Sequence, residues 1–122
     1  MPDLNAGSIA NNIYNSISPL PSSVSGALIT IVNNKRYLAE QLTGNVIGNA
    51  IAEQYQSPIT DLSYADTLRL MAAQDLGVQN VSVGDLSTDN KNLFEMAKQF
   101  EDKGMTQLKW LTKGIKFNKT YG

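Results

Sequence analysis

The chain has 122 residues, enough for one domain with a modest core. It contains neither His nor Cys, which removes the commonest general base, the thiol nucleophile, the softest metal ligands and any disulfide framework. With 17 % charged residues and a net charge of −1, it offers no bulk attraction to nucleic acid or to an anionic membrane.

A chain so composed is expected to fold, pack and be held by its neighbours, acting as a structural or assembly protein with no catalytic residue, cofactor or metal. No apolar run approaches the roughly 18 residues needed to cross a bilayer. The start, Met1-Pro2-Asp3-Leu4, has no basic or apolar leader region, so no secretion signal is expected. The absence of Cys fits a reducing compartment, though weakly.

The spread of charge says more than its sum. After Asp102 there is no acidic side chain, while Lys103, Lys109, Lys113, Lys116 and Lys119 follow. The first 102 residues are therefore acidic and the last 20 basic.

In chain order, Leu4 to Ile17 reads as a short helix with Ile9, Ile13 and Ile17 on one stripe. Pro19 and Pro21 stop it, because proline lacks the amide proton and disfavours helix in the residue before it. Ser22 or Ser23 can cap a second helix running to about Thr43, with Val24, Leu28, Ile31, Val32, Leu38 and Leu42 inward. Lys35, Arg36 and Glu40 fall toward its exposed end, and Gly44 stands where a left-handed cap ends a helix. Asn45 to Gln56 carries only an irregular turn and at most one helical turn.

Ser57-Pro58 predicts the start of a third helix, with proline near its first position. It presents Ile59, Leu62, Ala65, Leu68, Leu70, Met71 and Ala72, and closes near Leu76-Gly77. Val81 to Asp85 alternates apolar and polar residues over a length that allows a strand fragment or an ordered loop. Ser87 or Thr88 can cap the last helix, with Asp89 in its positive first turn. That helix, Asp89 to about Lys116, has a seam of Leu93, Ala97, Phe100, Gly104, Leu108, Leu111 and Ile115. At about 1.5 Å per residue it is some 40 Å long, more than so small a domain can cover. Gly104 marks either a close helix contact or a break into two helices. The expected fold class is all-α: a small bundle of about four helices forming a single domain over residues 1–122.

The remaining clusters have plain readings. Asp61, Asp66 and Arg69 on the third helix, and Glu95, Glu101 and Asp102 on the fourth, read as solvated helix faces, since acid–base work needs buried, converging carboxylates. Val83-Gly84-Asp85 and Thr43-Gly44-Asn45 are single-glycine turns, too poor in glycine to cradle a phosphate. Lys109, Lys113 and Lys116 share one helical face, continued by Lys119 and interleaved with Trp110, Phe117 and Tyr121. Two readings stay open for this set: a docking tail over residues 108–122 for an acidic or phosphate-bearing partner, or a solubilising face favoured by the helix dipole.

Several segments resemble the head-tail connector (adaptor, or head-completion) proteins of long-tailed bacteriophages and related archaeal viruses. Asn34 to Gly44 (NKRYLAEQLTG) is similar to a helix end of that family, and Pro58 to Leu76 (PITDLSYADTLRLMAAQDL) to the helix that follows. Val81 to Ser87 (VSVGDLS) resembles the segment before the last helix, and Lys113 to Gly122 (KGIKFNKTYG) the short extended tail. The Asn/Ser-rich Leu4 to Ser18 matches nothing in the pattern.

The resemblance implies a virion protein, made in the host cytoplasm, that forms a homo-oligomeric ring, usually of twelve, beneath the portal protein. Its further partner would be another connector or a tail-completion protein, and DNA would pass through the channel without specific binding. Leu108 to Gly122 would then embrace the portal or a neighbouring subunit, and Gly77 to Ser87 an adjacent subunit or the next ring. The alternative is a small helical DNA-binding protein, such as a terminase small subunit or a helix-turn-helix regulator. Its recognition helix should be rich in Arg, Lys, Asn and Gln, whereas the third helix carries Arg69 as its one cation.

Overall fold

The computed structural model describes residues 4–18, 20–73, 80–84, 86–89 and 92–121, with only the backbone of 89 and 113–121. The described chain is mostly helical. In order come α1 (Ala6–Ser16), β1 (Ile17–Ser18), α2 (Ser22–Ser25), α3 (Leu28–Thr43), α4 (Glu53–Ala73), β2 (Asn80–Val83), β3 (Leu86–Asp89) and α5 (Leu93–Tyr121).

Asn5 caps α1: its side-chain oxygen accepts from the Ser8 amide at 2.7 Å. The expected isoleucine stripe is in place, with Ile9, Ile13 and Ile17 all buried. The second expected helix is two. Pro21, rather than a serine side chain, occupies the cap position of α2, and its carbonyl accepts from Val24 and Ser25. The Ala27 amide then reaches back three residues to Val24, a tighter turn than an α-helix makes, and α3 starts afresh at Leu28. Gly26 and the Ser25 hydroxyl, which bonds the Ser22 carbonyl at 3.0 Å, supply the local competition that breaks the helix. Gly44 ends α3 at φ 73, donating to the Glu40 carbonyl.

Pro58 does not open a helix. α4 begins five residues earlier, because Tyr55 is buried and its hydroxyl accepts from the Asn45 amide group at 3.0 Å. Proline therefore sits inside α4, where it leaves the Gln54 carbonyl without its usual intrahelical donor. α4 is buried on nearly every side, with Ile59, Leu62, Ala65, Leu68 and Met71 in the core beside Asp61, Ser63 and Thr67. The two hydroxyls survive burial by bonding the carbonyls four residues back, Ser63 to Ile59 at 2.7 Å and Thr67 to Ser63 at 2.8 Å. α1, α3 and α5 all pack on this central helix. On α3, Ala39 takes an inward place, while Leu42 turns out to be exposed.

The all-α expectation needs correction, since a three-stranded antiparallel sheet in the order β1-β2-β3 joins the helices. Ile17 pairs with Val83 and Val83 with Leu86. The turn at Gly84 has φ 59, and its amide donates to the Ser16 carbonyl at 2.8 Å. Ile17, Val81 and Val83 face the core, so the sheet buries one face at the end of α1. Ser87 and Thr88 consequently lie in a strand and do not cap α5, which starts at Leu93.

α5 is one continuous helix of 29 residues, about 44 Å long. Of its expected seam, Leu93, Ala97, Gly104 and Leu108 are buried and Phe100 and Leu111 half-buried, while the side chain of Ile115 lies outside the described residues. Gly104 is a contact and not a break: a methyl group there would stand 2.8 Å from Leu62 Cγ and 3.1 Å from the Pro58 carbonyl oxygen. Helix propensity alone makes Gly104→Ala stabilising by about 1 kcal/mol. Overpacking against a side-chain branch point and a backbone oxygen costs about 1–3 kcal/mol, so the collision dominates. Gly104→Ala is expected to lower stability in urea unfolding, and to do so less in a Leu62→Ala background. A stabilised single variant would remove the close contact from the account.

Candidate interaction surface

The carboxylates read from sequence as solvated faces divide into two groups. Glu95 and Asp102 are exposed on α5. The others tie helices together. Asp66 meets Lys35 of α3 at 2.8 Å and Arg69 at 3.9 Å, and Arg69 meets Glu101 of α5 at 2.7 Å. This chain of alternating charge links α3, α4 and α5.

Asp61 is only 7 % exposed and accepts from the Gln107 amide at 2.7 Å. Burial raises its pKa, against the smaller opposing effects of the Gln107 bond and the Lys103 charge. The Arg69 hydrogen bond holds Glu101 below the usual carboxylate range. Lys35, Arg36 and Glu40, expected at an exposed helix end, are likewise engaged. Arg36 donates to the Ile47 carbonyl at 2.7 Å and to Glu40 at 3.1 Å, pinning the loop after α3.

Sequence periodicity missed the Lys35–Asp66, Arg69–Glu101 and Gln107–Asp61 pairings because each joins residues on different helices. Among the described residues, no group of three or more His, Cys, Asp or Glu could hold a metal ion. Gly44 and Gly84 both adopt the left-handed conformation that turns require.

The tail residues fall at the other end of α5. Lys109 and Trp110 are exposed, Trp110 by 70 %. The side chains of Lys113, Lys116, Phe117, Lys119 and Tyr121 lie outside the described residues, but the backbone that carries them is helical to Tyr121. The expected extended tail from Lys113 is therefore corrected to helix.

α4 and α5 run antiparallel, with Arg69 beside Glu101, Leu62 beside Gly104 and Asp61 beside Gln107. At that register the first residue of α4, Glu53, falls level with Ile115, so the last turns of α5 continue past the start of α4. Where α5 passes the end of α3, the Thr112 hydroxyl bonds both its own Leu108 carbonyl at 2.9 Å and the Leu42 carbonyl at 3.2 Å. Of the expected subunit-facing loop, residues 77–79 and 85 lie outside the described residues. The rest is the β2–β3 hairpin, with Leu86 exposed.

Two shallow apolar hollows open on the described surface. One, of about 260 Å³, is lined by Gly7, Tyr14, Gly26 and Ile29 among others. The other, of about 140 Å³, is bounded by Leu86, Gln99, Phe100 and Lys103. No described helix is long and apolar enough to cross a membrane. No family model, curated protein or solved structure matches the chain.

The two perturbed carboxylates predict opposite pH effects. The Asp61 pKa is raised on folding, so its contribution is fully present below the ordinary carboxylate value of about 4 and is lost as pH rises through the folded value. The Glu101 pKa is lowered, so its contribution is present above the ordinary value and is lost as pH falls through the folded one. Asp61→Asn is expected to be tolerated or slightly stabilising at pH 7. Glu101→Gln should cost below about 1 kcal/mol there, since the pair is partly solvated. Urea midpoints from pH 3 to 7 check both, and an Asp61→Asn protein that loses several kcal/mol at pH 7 would contradict the assignment for Asp61.

Proposed function

We propose that this chain is a non-enzymatic assembly subunit of a tailed-virus particle, a head-tail connector that closes into a ring between portal and tail. The observation that carries the reading is α5: one 29-residue helix whose basic, aromatic-bearing end continues past the start of α4. A helix held along most of its length by α4 and α3 presents its last turns to whatever lies beyond the domain. The lysines of that end would meet acidic groups of the portal, with Trp110 and the aromatic positions 117 and 121 as apolar anchors. One segment of the connector resemblance agrees with the fold, since Asn34 to Gly44 ends a helix at a left-handed glycine, whereas Pro58, expected to open the next helix, lies inside α4.

The mechanism is geometric. Identical subunits packed front to back close a ring when the rotation between them divides a full turn. Apolar burial at roughly 25 cal/mol per Å², less the ordering costs, drives it. A subunit of net charge −1 suits a channel wall, because each neutralised phosphate would add affinity and slow passage of DNA.

The test is imaging of virus particles, or of this protein mixed with a candidate portal. The expected result is a symmetric ring at the head–tail vertex with the end of α5 against a second protein. A protein that ignores the portal and binds duplex DNA with a steep salt dependence overturns the reading in favour of a small DNA-binding regulator.

A further inference from the structure

The distribution of charge leaves one part of the chain bare. From Leu4 to Asn34 there is no Asp, Glu, Lys or Arg, and every charged residue except Asp3 follows that stretch. The stretch builds α1, β1, α2 and the start of α3. Its polar side chains are all Asn, Ser, Thr or Tyr. Asn11, Asn12 and Asn15 are exposed on α1, at positions that a solvated helix fills better with Glu, Lys, Gln or Arg, all stronger helix formers. Solvation alone therefore does not account for them.

The same stretch supplies the hollow of about 260 Å³, and every residue lining it belongs to the stretch. Gly7, Asn11 and Tyr14 recur at steps of four and three, so they share one stripe of α1. Gly26 and Ile29 line the hollow from the start of α3 and the turn before it. Gly7 and Gly26 contribute no side chain, while Tyr14 and Ile29 are each more than half exposed. One uncharged face thus carries both a recess and two apolar projections.

We propose that this face binds the same face of a second copy of the chain about a two-fold axis beside the hollow, Tyr14 and Ile29 of each copy seated in the recess of the other. A two-fold sets side chains near the axis against their own copies. Ionised groups so placed repel, but amides and hydroxyls both donate and accept, so Asn, Ser and Tyr can bond their own kind. Tyr is enriched, and charged residues are depleted, at the cores of protein interfaces.

Other partners fit the face less well. A phosphate finds no cation in the stretch, lipid would leave the amides unbonded, and a charged protein surface would lose hydration without gaining a counter-charge. The next charges along α3, Lys35 and Arg36, are already bonded to Asp66 and to Glu40 and the Ile47 carbonyl. Association through such a face is not screened by salt, and sulfate strengthens it. The inference rests on the charge-free stretch and its hollow and does not depend on the virion reading: a chain that dimerises here yet meets no portal keeps the first and loses the second.

Sedimentation equilibrium of the full chain at up to about 100 µM tests it, with the variants Tyr14→Glu and Ile29→Glu and, as control, Phe94→Glu. Phe94 is as exposed as the other two but lies outside the stretch, on α5. Exposure at all three positions preserves the fold, which circular dichroism verifies for each variant. The wild type is expected to dimerise, its dissociation constant changing by less than roughly threefold between about 0.05 and 1 M sodium chloride. Each of the two face variants should associate about tenfold more weakly or worse, since a carboxylate in the recess meets no counter-charge, and Phe94→Glu should leave the dimer intact. A wild type that stays monomeric, a dimer that dissolves at high salt, one that survives either face variant, or one that Phe94→Glu weakens equally overturns the proposal.

Discussion

The approach of α5 to α4 at Gly104 is the constraint on which the remaining packing depends. Two helices come closest where one lacks a side chain, and here the missing side chain admits Leu62 and the Pro58 carbonyl. From that point the antiparallel register is set in both directions, placing Gln107 over Asp61 and Glu101 over Arg69. Tyr64 and Phe100 stack between them with ring centroids 5.0 Å apart. Proline contributes indirectly. Its carbonyl oxygen is part of the surface against which Gly104 must fit.

A central helix buried on most sides meets a polar-group problem that α4 solves internally. Ser63 and Thr67 satisfy themselves within the helix, while Asp61 and Arg69 are satisfied from α5 and Asp66 from α3. The cost of desolvating these groups is offset by bonds that also fix rotation and register, a specificity that an all-leucine interface lacks. Among the described residues no buried side-chain nitrogen or oxygen lacks a hydrogen-bond partner.

The parts legible in the sequence were those governed by local periodicity. The isoleucine stripe of α1, the cap at Gly44 and the seam of α5 follow from residue spacing alone. The break of the second expected helix at Gly26 is local, but the other misreadings share one physical origin, contacts made across the chain. Pro58 was expected at a helix start because proline favours that position, but burial of Tyr55 extends the helix behind it. Val81 to Val83 showed the alternation of a strand, yet the partner β1 is two residues long and follows a helix directly, a length at which no pattern exists. The carboxylates of α4 look identical in sequence, and only the neighbouring helices separate buried Asp61 from salt-bridged Asp66. For the tail, spacing located Lys109 on a shared lysine face, while a lone tryptophan is more often core and Trp110 is instead 70 % exposed; the continuation of α5 to Tyr121 was obscured by the glycines at 104 and 114.

The short pairing of β1 with β2 bears on how the chain folds. Ile17 and Val83 are joined across most of the intervening sequence, a connection whose loop-closure entropy cannot be met by two residues of ladder alone. It forms only once α1 and the hairpin are each delivered to the core, which makes it a late, high-separation contact in an otherwise locally wired helical protein. A second stitch, between Leu4 and Ile51, ties the start of the chain to the loop before α4. These two bridges couple the opening of α1 to the opening of the elements that follow it. The amino-terminal helix, which would otherwise fray independently, is thereby drawn into the same cooperative unfolding unit as the hairpin.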